Sequence, residues 1–421
     1  MSRIESATAR AIYDSRGRPT IEVEVRSGRA IGRGIAPAGA STGAHEAREL
    51  RDPDGRGVRT ALARFAAEVA PALIGADCRE QAHVDRVLIA LDGTPDRGRL
   101  GGNTLIASSF AVLRLAAEVD GAPLWRYLAG TDDLAMPLPE IQIVGGGAHA
   151  HGRVDLQDFM VLPVGAQDWA TALDWCARVY TSAGAIFRTA AQLHGVADEG
   201  GFWPDVANNE AALELLVRAI EGAGLRPADD VAISLDVAAN QFFRGDRYRL
   251  RADSADLHPD QWVERLAGWR DKFAIRLIED PCAETDRAHY AAFRARVRSR
   301  CGIVGDDLVV TDATRIRDAA RDGLIDAALI KPNQAGTVSE ARAALEACVA
   351  ANVMPIVSAR SGETEDATIV HLAVGWRAPM LKVGSITRGE RTAKWNEGIR
   401  IAEQLRGGGA IRPFAPASRG A

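Results

Sequence analysis

The sequence predicts an α/β protein: a closed (β/α)8 barrel over residues 137–421, capped by an N-terminal α+β domain over residues 1–132. Three observations carry this expectation. Between Val231 and Gly384 lie six short apolar runs, VAISLD (231–236), AIRLIED (274–280), GIVGDD (302–307), DAALIK (326–331), MPIVSAR (354–360) and MLKVG (380–384), each ending on polar residues at a sharp break. Runs of this length suit strands buried on both faces of a parallel sheet. Most are followed by an Ala- and Arg-rich helical segment, the cadence of repeated βα units that close into a barrel. The chain has 421 residues, too many for one ordinary core, so a barrel of roughly 250 residues needs a companion domain.

Taken in order, TIEVEV (20–25) alternates as a strand of an antiparallel sheet does. PAGASTGAHEAREL follows, a small-residue loop running into a helix; such a loop is a plain turn or a mobile lid. Helical patterns lie near 57–74, 79–91 and 102–129, and DDLAMPLPE is a Pro-marked linker. The second domain opens as strand, Gly-rich loop and strand through EIQIVGGGAHAHGRVDLQDFMVLPVG, with His149 and His151 two apart. The Gly145-Gly146-Gly147 run lacks the context of a phosphate loop. Helices are expected near 168–194 and 208–223, separated by a tight turn, VADEGGFWP, that displays Asp198 and Glu199. GIRIAEQL makes a terminal helix.

Composition bounds the function. With 47% hydrophobic and 25% charged residues, the chain is an ordinary soluble globular protein. A net charge of −5 gives no basic footprint for nucleic acid. No 18-residue apolar run and no secretory leader are found, so no membrane partner is expected. Five cysteines, Cys78, Cys176, Cys282, Cys301 and Cys348, lack metal-type spacing and read as reduced thiols of a cytoplasmic protein.

The barrel mouth would collect Asp236, Glu279, Asp306, Lys331, Arg360 and Lys382 at the C-terminal ends of its strands. Three hard oxygen ligands from successive strands, with no histidine, suit Mg2+ rather than zinc. The competing explanation is that acids after strands serve as helix N-caps. Lys331 and Lys382 sit in apolar runs, so each is either desolvated with a lowered pKa or paired with a carboxylate across the mouth. A nearby dication would make such a lysine a usable base. Arg360, opening RSGETED, suits a phosphate or carboxylate. Together the parts describe proton abstraction beside a carboxylate.

The motifs DSRGRPTIEVEV, GASTGAHEARELRD, LDGTPDRGRLGGNT, GGGAHAHG, LQDFM, DEGGF, SLDVAA, IEDP, GDDLVVT, LIKPNQAGT, RSGETEDA and LKVG, in this order, resemble enolase (phosphopyruvate hydratase) along nearly the whole chain. The resemblance implies two Mg2+ ions per active site and a homo-oligomer, a dimer or higher. It implies Asp236, Glu279 and Asp306 on the first ion and Ser41 on the second. Lys331 would be the base at C2 and Lys382 the partner of the carboxylate region. Glu199 and Asp158 would help the C3 hydroxyl leave. His149 falls at the family's loop histidine, Gln157 at its pocket glutamine, and Arg360 and Ser361 at its phosphate clamp.

The departures from the family pattern are as informative. Ala359 stands where a histidine is usual, Asp158 where the acid is glutamate, Gly145 in the usual NGG, Pro332 in the usual KVNQ, and Asn240-Gln241 in SEF. Losing an imidazole at Ala359 frees space for a bulkier substrate or removes a polar contact. Three functions are therefore expected, in order. The first is an enolase-like hydro-lyase acting on 2-phosphoglycerate or a close analogue. The second is a paralogue of secondary metabolism making an enolpyruvate ester such as carboxyphosphonoenolpyruvate, from a phosphorylated or phosphonylated carboxylate. The third is a non-catalytic binding protein on this scaffold.

Overall fold

The structure, a computed structural model, describes residues 2–39, 43, 45–150, 152–189, 193–297 and 300–414. Strands β1 (Ser6–Tyr13), β2 (Pro19–Ser27) and β3 (Ala30–Ile35) form an antiparallel three-stranded meander. The alternation of TIEVEV buries Ile21, Val23 and Val25 on one face. Against the sheet lies the helix Gly102–Val119, and Gly32 and Gly34 permit its close approach. A Cβ on Gly32 would stand 2.0 Å from the Ala111 carbonyl oxygen, so no larger residue fits there.

The pattern near 57–74 folds as one helical path, Arg59–Arg64 and Ala70–Leu73, joined by a π turn at Phe65–Val69. The pattern at 102–129 proves to be two helices, Gly102–Val119 and Leu124–Ala129. Gly121 takes φ +63 between them, and Pro123 disfavours a helical residue before it. The turn at 14–19 is tied down by Asp14, whose Oδ1 accepts from the backbone N–H of Arg16 and of Arg18, each at 2.9 Å. This turn aims Arg16 at the barrel.

The barrel strands are β4 (Leu138–Gly145), β5 (Asp158–Leu162), β8 (Ala232–Asp236), β11 (Ile275–Glu279), β12 (Gly302–Gly305), β13 (Ala327–Ile330), β14 (Met354–Ser358) and β15 (Met380–Ser385). They hydrogen-bond in that order, and β15 pairs with β4 to close the ring. All are parallel except β5, which runs antiparallel to both neighbours. A helical crossover would be needed to keep β5 parallel, and only a Gly-rich loop joins it to β4. The hairpin of β6 (Leu193–Val196) and β7 (Phe202–Pro204) hangs from β4 through Val144 and Phe202. The helix expected at 168–194 ends at Thr189, with β6 beginning at Leu193. A second hairpin, β9 (Tyr248–Leu250) with β10 (Ala255–Leu257), intervenes before the helix Pro259–Lys272.

Inside the ring, Leu138, Leu162, Leu277, Leu329, Ile356 and Met380 form a closed apolar cluster. The same cluster holds Ala232, Ala327 and Met354, which with Leu138 and Met380 open their strands, and Leu162, which ends the reversed β5, so it plugs the N-terminal end of the barrel. Above this plug the buried pair Glu140 and Ser234 begins the polar layer, which continues to the C-terminal mouth. Among the described residues no helix is long and apolar enough to cross a membrane, and all five cysteines are free and buried.

Candidate active site

Strand register brings the predicted acids together. Asp236 ends β8 opposite Glu279 on β11 and opposite Asp158 on β5. Asp236, Glu279 and Asp306 are buried. None of them caps a helix: the helix after β8 and its hairpin is capped at His258, and the helix after β12 by the Asp312 side chain. Instead they hold cations. Lys382 Nζ donates to Glu279 Oε2 at 2.7 Å and to Asp236 Oδ2 at 3.3 Å. Lys331 Nζ makes a short charge-assisted bond to Asp306 Oδ2. Gln157 Nε2 donates to Asp236 Oδ2 at 2.8 Å, and Gln334 Nε2 to Asp306 Oδ1 at 3.2 Å.

Of the two alternatives for the lysines, pairing across the mouth is the one realised. Burial pushes the Lys382 ammonium down, but Glu279 and Asp236 outweigh it and hold the amine well above its ordinary value. Lys331 is raised in the same way, chiefly by Asp306 and Glu279 against burial. Burial pushes Asp306 up, and Lys331 overcomes that and holds it ionised.

The three acids do not themselves form the tightest oxygen cluster. Among the described residues, the acid and histidine sets whose ligand atoms lie within 4.8 Å of one another are Asp280, Asp306 and Asp307, and His149, Asp158 and Glu199. Asp280, at φ 40, accepts from the backbone N–H of Asp306 at 3.0 Å and of Asp307 at 2.8 Å, so it shapes the loop that presents Asp306. Burial and the neighbouring Asp306 push Asp307 up to about 6. Asp280 and Asp307 escaped sequence reasoning. The signal was the acid doublets in IEDP and GDDL, of which only one member each was singled out.

His149, Asp158 and Glu199 gather on the opposite side. His149 Nδ1 lies 2.9 Å from Asp158 Oδ1, and its Nε2 lies 4.0 Å from Glu199 Oε1. Gln142 also donates to Asp158 Oδ1, a contact not foreseen from the sequence, while Asp158 Oδ2 is buried without a partner. Burial would depress His149, but Asp158 and Glu199 outweigh it and raise the imidazole from 6.5 to about 9.

The raised histidine has a measurable consequence. Its stabilising charge is fully present below the unfolded value near 6.5 and is lost as pH rises through about 9. Urea unfolding should therefore weaken by about 3 kcal/mol between neutral pH and the far side of that window. His149→Gln should flatten the slope. An unchanged slope in that variant would show that the ion pair does not form.

The remaining predicted residues are placed as follows. Arg360 is buried and holds Glu46 by two bonds, Nη1 to Oε2 at 2.8 Å and Nη2 to Oε1 at 3.4 Å. The expected anion clamp is thus engaged by a carboxylate of the N-terminal domain. Ser361 Oγ accepts from Arg16, which also donates to Asp198 Oδ2 at 2.9 Å. Ala359 is buried in the wall between Ser358 and Arg360, its N–H donating to the Lys382 carbonyl at 2.9 Å. Gln241 of the departed SEF motif donates to Gln157 Oε1. Ser41 and His151 lie outside the described residues.

His149, Gln157, Asp158, Glu199, Asp236, Asp306, Lys331, Ala359, Arg360, Ser361 and Lys382 all line one cavity of about 20 Å³. That volume holds about one water, so a substrate enters only if an ion pair or a loop opens. Chemically the site offers oxygen donors for a hard cation, two amines beside them, and a protonated imidazole facing carboxylates across the gap. Glu279 Oε1, buried with no hydrogen bond, is the kind of donor such a cation would satisfy.

Two family models match the chain. The model described as enolase, N-terminal domain, covers residues 4–128, and the one described as enolase, C-terminal TIM barrel domain, covers residues 133–413. Together the two models span nearly the whole chain, and the second describes the barrel that the ring of strands forms: the chain belongs to the enolase family.

Proposed function

We propose that the protein is a Mg2+-dependent lyase that removes the C2 proton of 2-phosphoglycerate, or a close analogue, and expels the C3 hydroxyl as water. The observation that supports this most is the interleaving of Lys331 and Lys382 with Asp236, Glu279 and Asp306 at one barrel mouth. On this reading Asp236, Glu279 and Asp306 hold one Mg2+ and Ser41 belongs to a second. Bound there, the cations supply positive charge beside the substrate carboxylate and so acidify the neighbouring C–H.

The chain's own groups perform the rest. Lys331 is held protonated by Asp306 and Glu279, so it would act as the base only once a dication on the same carboxylates had lowered its amine and released that proton; it would then accept the C2 proton, the electrons of that C–H bond forming the C2–C3 double bond as the C3–O bond breaks. The leaving oxygen takes a proton from the His149, Asp158 and Glu199 cluster, where His149 is held charged. Lys382 orients the carboxylate, and Arg360, Ser361 and Gln157 anchor the distal groups. We further propose that the protein works in the cytoplasm as a homo-oligomer.

A second reading is favoured by Ala359. A methyl group in the wall beside Arg360 leaves more room than an imidazole and suits a bulkier substrate, as in the formation of an enolpyruvate ester such as carboxyphosphonoenolpyruvate. One assay separates the two. Purified protein with Mg2+ and 2-phosphoglycerate should develop enolpyruvate absorbance with kcat on the ordinary scale of roughly 1–10³ s⁻¹. C2 proton exchange without turnover would move the assignment to the ester-forming paralogue. Neither exchange nor turnover nor Mg2+ binding would leave a non-catalytic protein.

A further inference from the structure

A second, far larger space adjoins the catalytic cavity. It is a cleft of about 1100 Å³ between the 14–19 turn, the segment 46–56 and the barrel mouth, and it shares Gly39 and Arg360 with the smaller cavity. Its walls carry Arg18, Arg48, Arg51, Arg56 and Arg360 against Glu46, Glu49 and Asp96. A chain with net charge −5 thus lines this one cleft with a surplus of guanidinium.

The pairing within the cleft is uneven. Arg360 is engaged with Glu46, and Arg51 with Glu49 at 2.7 Å. Arg18, Arg48 and Arg56 make no side-chain hydrogen bond or ion pair among the described residues, and all three are exposed. Many surface arginines elsewhere are paired, as Arg79 is with Asp120, Arg226 with Asp230 and Arg287 with Asp322, although Arg29, Arg86 and Arg218 are not among the described residues; what distinguishes the cleft is that three unengaged arginines line one space. Three unengaged guanidiniums facing a common space, with walls continuous with the catalytic cavity, form a geometry that favours oxyanions with several acceptor oxygens.

We propose that this cleft is an anion subsite that receives a second phosphate-class group, carried on the part of the ligand that extends beyond the reacting carbons. The inference deepens the functional reading above and rests on it for the placement of the reacting end over Lys331. A three-carbon phosphorylated acid leaves most of a space this size unfilled. A ligand with two separated anionic groups spans both cavities, with one group at Arg360 and the other among Arg18, Arg48 and Arg56.

The test uses the full-length protein and inorganic pyrophosphate as probe, with binding followed by titration calorimetry at low ionic strength. The wild type should bind one pyrophosphate per chain, with affinity falling as salt rises. The double variant Arg48→Ser, Arg56→Ser should bind at least about tenfold more weakly, while its circular dichroism and urea midpoint stay those of the wild type. Lys331→Ala should bind the probe as the wild type does. Equal affinity in the double variant and the wild type, or no wild-type binding at about 10 mM, overturns the subsite. So does binding that Arg360→Ala abolishes and the double variant leaves untouched, because the probe would then occupy the catalytic cavity alone. Failure of C2 exchange with pyrophosphate binding intact would count against the reaction and not against the subsite.

Discussion

Lys331→Ala is expected to abolish exchange of the C2 proton of 2-phosphoglycerate with solvent, a loss of at least about 10²–10⁴, the usual worth of a positioned base. The amine sits on Asp306 at the end of β13 and lines the catalytic cavity, and among the described residues no other amine but that of Lys382 does so. Lys382 cannot replace it, because two carboxylates, Glu279 and Asp236, already engage it from below. Divalent-cation affinity should be kept or rise, because the ammonium and the cation compete for the same Asp306 oxygen. Deuterium incorporation followed by NMR, beside a calorimetric Mg2+ titration, gives both readouts. Exchange surviving at more than about a tenth of the wild-type rate would remove Lys331 from its role.

The largest stability effect is expected at Lys382. Lys382→Met keeps the stem and deletes the charge, leaving Glu279 and Asp236 facing each other in a buried mouth. Breaking a buried ion pair from one side costs about 3–5 kcal/mol, and Glu279 Oε1 already lacks a hydrogen bond there. Urea unfolding in the presence of a chelator should show that loss. Adding Mg2+ should recover much of it, about 2.7 kcal/mol at a hundredfold excess over the dissociation constant, since the cation would take the position of the lost ammonium. A cost below about 1 kcal/mol, or no recovery with Mg2+, would mean that the acids do not share a cation-binding centre.

Both expectations depend on features of unequal legibility. The barrel strands could be read because they are short, apolar and sharply ended. Asp236, Glu279 and Lys331 lie at strand ends, where the pleat and register fix the direction of each side chain. The direction of β5 could not be read, since DFMVL is as apolar backwards as forwards and only the missing crossover reverses it. The helix break at Gly121 was hidden by apolar periodicity on both sides. Of each acid doublet, sequence alone could not say which member meets a lysine, as Glu279 meets Lys382 and Asp306 meets Lys331, and which does not, as Asp280 instead braces the loop.

What the sequence determined by itself was the family pattern, the order of strands and the inventory of acids, lysines and arginines, because these follow from local periodicity and from motifs a few residues long. What only the tertiary structure decided was who pairs with whom. Arg360 meets Glu46 from 314 positions away and Lys382 bridges two strands far behind it in the chain. The physical reason is that a buried charge must find its counter-charge wherever closure of the barrel brings one, and no local pattern encodes that distance.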